Sequence, residues 1–257
     1  MIAAAFAARR AEGRPALIPY VTAGYPAVDS TVPLLEALTG AGADVIELGI
    51  PFSDPLADGP TIQRSSFLSL QGGTTVERVL ADLSEFRARN STPVVLFTYL
   101  NPVLRSGLAR FLEAAVDAGA NGLLLTDLPA GSDEGLEDQV VASPLDFIRL
   151  VAPTTPLERI PDIALRGSGF LYYISRTGVT GARSDLRSGL AAEMGAIRER
   201  VELPVAVGFG ISTPEQAAQV GSIADGVVVG SALVQVLGTG GIEAGGEFVA
   251  ALRSALD

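Results

Sequence analysis

Short apolar runs rich in β-branched residues recur along the chain at positions 16–21, 45–50, 94–99, 123–128, 147–151, 170–175, 205–209 and 227–229. They are apolar nearly throughout and do not alternate with polar positions, the pattern of strands covered on both faces. Between the runs, apolar residues fall at helical spacing. Val76, Val79, Leu80, Leu83 and Phe86 form one stripe after Thr74-Thr75, and Phe111, Leu112, Ala115 and Val116 form another. Thr213-Pro214-Glu215-Gln216 reads as a helix start, with an N-cap, a proline at the first helical position and a capping-box glutamine.

Eight strands alternating with helices in 257 residues have the size and rhythm of a (β/α)8 barrel. A doubly wound sheet is the alternative, but its G-x-G-x-x-G turn is missing after the first run. An internal echo fits repeated strand–helix units: Ala41-Gly42-Ala43-Asp44, Ala118-Gly119-Ala120-Asn121 and Ile223-Ala224-Asp225-Gly226 each lead into a strand. No composition shift marks a boundary, so residues 1–257 are expected to form a single α/β barrel domain.

Composition narrows the chemistry. The chain is 48% apolar with a net charge of -11, which provides for a large core and argues against sequence-independent nucleic-acid binding. The first charges, Arg9-Arg10, follow the short apolar stretch at the start where a secretory signal would place them before it, so a cytoplasmic protein is expected. There is no Cys and no His, and all 18 basic residues are Arg. Thiolate nucleophiles, imidazole bases and lysine Schiff bases are therefore excluded. Chemistry must come from Asp, Glu, Tyr, Ser, Thr, Arg and backbone.

In such a barrel, function sits where strands end. Glu47 lies inside the run Val45-Ile46-Glu47-Leu48, on the face of Val45 and Gly49, where a lone carboxylate is costly unless paired or used. The following loop, 51–60, holds three prolines and the carboxylates Asp54 and Asp58. Alone, Asp58 reads as a turn residue before Gly59. With Glu47 it suggests two acids whose environments separate their proton affinities. Glycine turns at 178–181, 208–210, 230–231 and 238–246 are candidates for holding a phosphate through backbone N–H groups.

The run from Glu47 through Asp58-Gly59-Pro60-Thr61-Ile62-Gln63 resembles the signature of the tryptophan synthase α-subunit family. Tyr172-Tyr173-Ile174-Ser175, Gly178-Val179-Thr180-Gly181, Gly208-Phe209-Gly210-Ile211 and Gly230-Ser231-Ala232 extend the resemblance along the chain. It implies a barrel with an N-terminal helix and extra short helices near a phosphate site. The implied activity is retro-aldol cleavage of indole-3-glycerol phosphate to indole and glyceraldehyde 3-phosphate, without cofactor or metal, in tryptophan biosynthesis. By the same resemblance Glu47 is the general acid–base and Asp58 polarises the indole N–H. Tyr20, Ile62, Phe97, Leu124 and Tyr172 surround the substrate, with Tyr20 standing where phenylalanine is common. Thr180 orients the acids, and Gly181, Phe209, Gly210, Gly230 and Ser231 hold the phosphate. The implied partner is a β subunit in an α2β2 complex, with the Tyr99-Leu100-Asn101-Pro102 loop facing it. A free-standing lyase, a catalytically weak activating subunit and a generic sugar-phosphate barrel are the competing readings. The polar loop 176–186 is expected to be mobile when the site is empty.

Overall fold

The apolar runs become strands because both of their faces are covered: β1 (Ala16–Thr22) is buried at every position, as are β2 (Ile46–Gly49) and β4 (Gly122–Leu125). The computed structural model describes residues 1–174, 189–208 and 210–257. Its other strands are β3 (Val94–Thr98), β5 (Asp146–Phe147), β6 (Arg149–Val151), β7 (Leu171–Ile174), β8 (Val205–Gly208) and β9 (Gly226–Val229). The helices up to β4 are α1 (Ile2–Ala11), α2 (Thr31–Gly40), α3 (Pro60–Gln71), α4 (Val76–Arg87), α5 (Leu100–Ser106) and α6 (Leu108–Asp117). Later come α7 (Glu134–Val141), α8 (Ile160–Leu165), α9 (Leu190–Arg198), α10 (Pro214–Gly221) and α11 (Ser231–Leu256).

All strand pairs are parallel, in the order β5-β4-β3-β2-β1-β9-β8-β7-β6. Only Ile148 separates β5 from β6, and its N–H donates to Leu123 O at 2.9 Å. The two sheet ends are thus halves of one strand, one paired to β4 and the other to β7, and the barrel closes.

Small residues at the strand starts admit a plug from α1. Ile2 packs 3.0 Å from where a Gly122 Cβ would lie, and Phe6 takes the same place at Gly226 and meets Phe170 at 5.3 Å between ring centres. Burying Phe6 is worth about 2–3 kcal/mol. This closes the lower end of the barrel and leaves the upper end for chemistry.

The echoed segments have a precise job at the lower rim. Asp44 accepts the Leu17 N–H (2.8 Å) and returns its own N–H to Leu17 O (2.9 Å). Asn121 does the same to Val94, Asp225 to Val205, and Ser168 to Phe147. Each clasp joins a strand to the next strand of its own unit. Gly42 and Gly119, with φ of +92° and +84°, make the preceding turns, and an arginine stem lies over each: Arg253 and Arg87.

Several expectations need correction. The run 123–128 ends as a strand at Leu125, because Thr126 bends back to Thr98 O and Asp127 accepts the Leu100 N–H. Gln216 does not complete a capping box on Thr213; it accepts from the Ser212 N–H and hydroxyl instead. Thr213 does cap α10, accepting from Gln216 N. Glycines 238–246 are not a strand-end turn. They lie within α11, kinked at Gly241, where Gly238 meets the Tyr25 hydroxyl and Gly245 meets Leu237. Among the described residues, added helical segments lie after β2 and β3, where α3 and α5 precede the outer helices, and in the first half of α11, which starts at Ser231.

Candidate active site

Strand alternation turns Glu47 into the barrel, opposite Tyr20 of β1 and Val95 of β3. It is fully buried, and neither carboxylate oxygen has a hydrogen-bond partner among the described residues. Burial raises its pKa to about 8, so the acid is neutral near pH 7.

Asp58 enters from the loop after β2. That loop is shaped by the Asp58 N–H donating to Pro55 O at 3.0 Å, and by Gln63 Nε2 donating to Asp58 O at 2.9 Å. Burial lifts the Asp58 pKa to about 6, against the lowering effect of the Tyr99 hydroxyl, which donates to Oδ2 at 3.0 Å. Asp58 is therefore mostly ionised near neutrality while Glu47 holds its proton. One is an acid and the other a fixed negative charge.

Around these groups lies an apolar wall. Tyr20 and Phe97 meet edge to face at 5.1 Å, and Ile62 and Val234 join them. Leu124 pairs in register with Phe97 and belongs to the interior cluster that includes Tyr172. The Tyr172 hydroxyl reaches across Gly208, where a Cβ would lie 2.3 Å away. Burial, then the negative charge of Glu47 and Asp58, keeps that hydroxyl protonated. Glu47, Asp58, Tyr20, Ile62, Phe97, Leu124 and Tyr172 thus belong to one mouth.

Gly230 is the N-cap of α11 and Ser231 its first residue. The first turn of any helix leaves N–H groups unpaired, which suits an anion. A Gly230 Cβ would sit 3.4 Å from Tyr20 Cβ, so this end adjoins the aromatic wall. Gly210 has a φ of +84° and follows β8. Thr180, Gly181 and Phe209, and the loop 176–186, lie outside the described residues.

Tyr99 was assigned by sequence only to a partner-facing loop. Its contact with Asp58 makes it part of the site. The available signal was a hydroxyl-bearing aromatic at the end of an apolar run, the position from which barrel strands deliver functional groups.

Comparison with known proteins gives the same picture along the whole chain. The family described as Tryptophan synthase alpha chain matches residues 6–251. The tryptophan synthase alpha chain of Synechococcus elongatus is 47% identical over 253 residues, covering 98% of this chain and 95% of the relative. That of Geobacter sulfurreducens is 48% identical over 261 residues, covering 99% and 98%. Among solved structures, Mycobacterium tuberculosis tryptophan synthase superposes with a TM-score of 0.91 at 38% identity, covering 99% of this chain and 97% of that one. The Legionella pneumophila alpha subunit gives a TM-score of 0.91 at 38% identity, covering 100% and 98%. Since the likeness spans the barrel from end to end and is not confined to the loop around Asp58, the chain belongs to the tryptophan synthase alpha chain family.

Proposed function

We propose that Glu47 and Asp58 carry the family's lyase reaction, the cleavage of indole-3-glycerol phosphate to indole and glyceraldehyde 3-phosphate. The observation behind this reading is the buried carboxyl of Glu47 at the mouth of the barrel, which has no hydrogen-bond partner among the described residues. Such a group is destabilising for the fold alone and suited to proton transfer.

Glu47 gives its proton to carbon 3 of the indole ring. The cation that results, shared with the ring nitrogen, is stabilised by ionised Asp58 accepting the indole N–H. The bond between carbon 3 and the first glycerol carbon then breaks, and its electron pair restores the aromatic ring. The hydroxyl on that glycerol carbon becomes the aldehyde and returns its proton to Glu47. The acid is regenerated without an external reagent, and the ring serves as electron sink in place of a Schiff base.

Tyr20, Ile62, Phe97, Leu124 and Tyr172 surround the ring in this reading, and Gly210, Gly230 and Ser231 receive the phosphate. Thr180, Gly181 and Phe209 complete the proposal from sequence alone. The partner we propose is a β subunit, in an α2β2 complex. Supporting it is the surface beside Asp58, where Leu56 is 82% exposed and Leu104 is exposed on α5. A cavity of about 700 Å³ lies there, lined in part by Pro51, Phe52, Asn101 and Pro102. The Phe52 ring contacts the Tyr99 ring, 5.3 Å between centres, which links that surface to Asp58.

Indole release from indole-3-glycerol phosphate, assayed with and without a β subunit, tests both readings. Release by the chain alone that rises on adding the partner is expected. No release in either condition would overturn the lyase assignment, and release unaffected by the partner would favour the free-standing enzyme.

A further inference from the structure

The hydroxyl of Tyr20 belongs to a chain of three buried hydroxyls whose proton directions follow from counting. Ser65 Oγ donates to the carbonyl of Ile62 at 2.9 Å, which uses its single proton. The 2.7 Å bond between Thr22 Oγ1 and Ser65 Oγ must therefore run from Thr22 to Ser65. Thr22 then has no proton left for Tyr20, so across the long 3.5 Å contact the Tyr20 hydroxyl faces a lone pair of Thr22 Oγ1. Each hydroxyl has one proton and two lone pairs, so the direction at the Ser65 end sets the direction at Tyr20.

The Tyr20 oxygen occupies a telling place. Its ring starts beside Gly230, at the N-terminus of α11, and its oxygen ends over Gly49, two residues beyond Glu47 on the same interior face. After burial, the negative charge of Asp58 and then of Glu47 raises the pKa of its hydroxyl. The oxygen therefore stands near the acids, in a side chain that spans toward the phosphate end.

We infer that Tyr20, held by Thr22 and Ser65 as a hydrogen-bond acceptor, accepts a hydrogen bond from a hydroxyl of the substrate's glycerol chain and so discriminates hydroxylated from deoxygenated ligands. This rests on the lyase reading above. Asp58 can receive no proton from Tyr20 in this arrangement, and an acceptor aimed at the linker between ring and phosphate selects for a hydroxyl there. Thr22 and Ser65 are positioning residues, acting through Tyr20.

The test compares two ligands. One is indole-3-glycerol phosphate, read as kcat/KM for indole release; the other is 3-indolylpropyl phosphate, which lacks both glycerol hydroxyls, read as Kd. The chain contains no Trp, so the ligand's own indole fluorescence reports binding directly. Indole release by the unaltered protein is measured first and reports on the lyase reading alone; its absence would overturn that reading and this one with it. Given release, Tyr20→Phe should lower kcat/KM about 5- to 10-fold, the usual scale for one lost hydrogen bond, and leave the Kd of the propyl ligand within about 2-fold. Thr22→Val should reproduce the loss, Thr22→Ser should restore activity, and the Tyr20→Phe/Thr22→Val pair should lose no more than Tyr20→Phe alone. Equal losses for both ligands would make Tyr20 a shape-filling residue and overturn the inference. An unchanged kcat/KM in Tyr20→Phe would overturn it as well.

Discussion

The Tyr99 hydroxyl donates to Asp58 Oδ2 at 3.0 Å, and the Tyr99 oxygen itself accepts the Ala57 N–H at 3.0 Å. A residue at the end of β3 thereby fixes both the carboxylate proposed as catalytic and the backbone beside it. Hydrogen bonding to the ionised carboxylate opposes the effect of burial, so without it the Asp58 pKa should climb above about 6. In Tyr99→Phe the acidic limb of the rate profile should therefore move to higher pH. Activity should fall more at pH 6 than at pH 8, and a pH-independent loss would show that Tyr99 acts otherwise.

Replacing Glu47 with Gln, or Asp58 with Asn, preserves size and removes the ionisable group. Each variant should lose about 10²–10⁴-fold or more in indole release. Because the proposed roles place the two groups in one transition state, the double variant should lose much less than the product of the single losses. Circular dichroism would check that the fold is retained, and steady-state turnover would reveal the non-additivity.

The same two acids predict how the unaltered enzyme responds to pH. The proposed mechanism needs Asp58 ionised and Glu47 protonated, with values of about 6 and about 8. The rate should thus be bell-shaped, rising through the lower value and falling through the higher. A profile flat from pH 5 to 9 would contradict the division of roles.

Glu47 also sets a stability trend. Its folded pKa of about 8 lies above the usual carboxylate value of 4.5. Between those values the folded state holds a proton that the unfolded state has released, so stability falls as pH rises and levels off above about 8. Each unit of difference amounts to about 1.4 kcal/mol. Glu47→Gln removes this slope. Urea unfolding at pH 5, 7 and 9 should show the variant gaining on the parent as pH increases.

Gly208 offers a steric test. A Cβ there would lie 2.3 Å from the Tyr172 hydroxyl oxygen and 2.7 Å from the ring carbon bearing it. Gly208→Ala should displace the ring, weaken binding of 3-indolylpropyl phosphate and cost about 1–3 kcal/mol of stability. Adding Tyr172→Phe should recover part of the stability, because the closest clash is with the hydroxyl. Thermal melts of the parent and these two variants would decide this.

Much of this architecture was legible in the chain. Strands covered on both faces are uniformly apolar, and that is why a glutamate at position 47 stood out and why its inward direction followed from alternation with Val45 and Gly49. What sequence could not supply was depth and direction. The resemblance singled out Asp58 over Asp54, and the physical distinction is its bond to Tyr99, distant in the chain. Hydroxyls at positions 20, 22 and 65 are ordinary residues until folding aligns them. Glycines 238–246 misled because glycine clusters usually break helices; here close packing against Tyr25 and Leu237 keeps them helical on either side of the kink at Gly241.

The four lower-rim clasps all fall within successive strand pairs: β1 with β2, β3 with β4, β5 with β7, and β8 with β9. Among the described residues, the neighbouring pairs β2–β3, β4–β5 and β7–β8 meet at that rim through backbone bonds alone. The barrel is therefore partitioned into four modules, each sealed at its own base, and the chain has natural seams between them. Severed at the turn around residues 72–73, it would yield two fragments with every clasp intact, suited to reassembly into a working enzyme. Severed within α2, it would separate Leu17 from Asp44, and the first module would have to be rebuilt from two pieces. Modularity of this kind lets loops at the functional end vary without disturbing the seals beneath them.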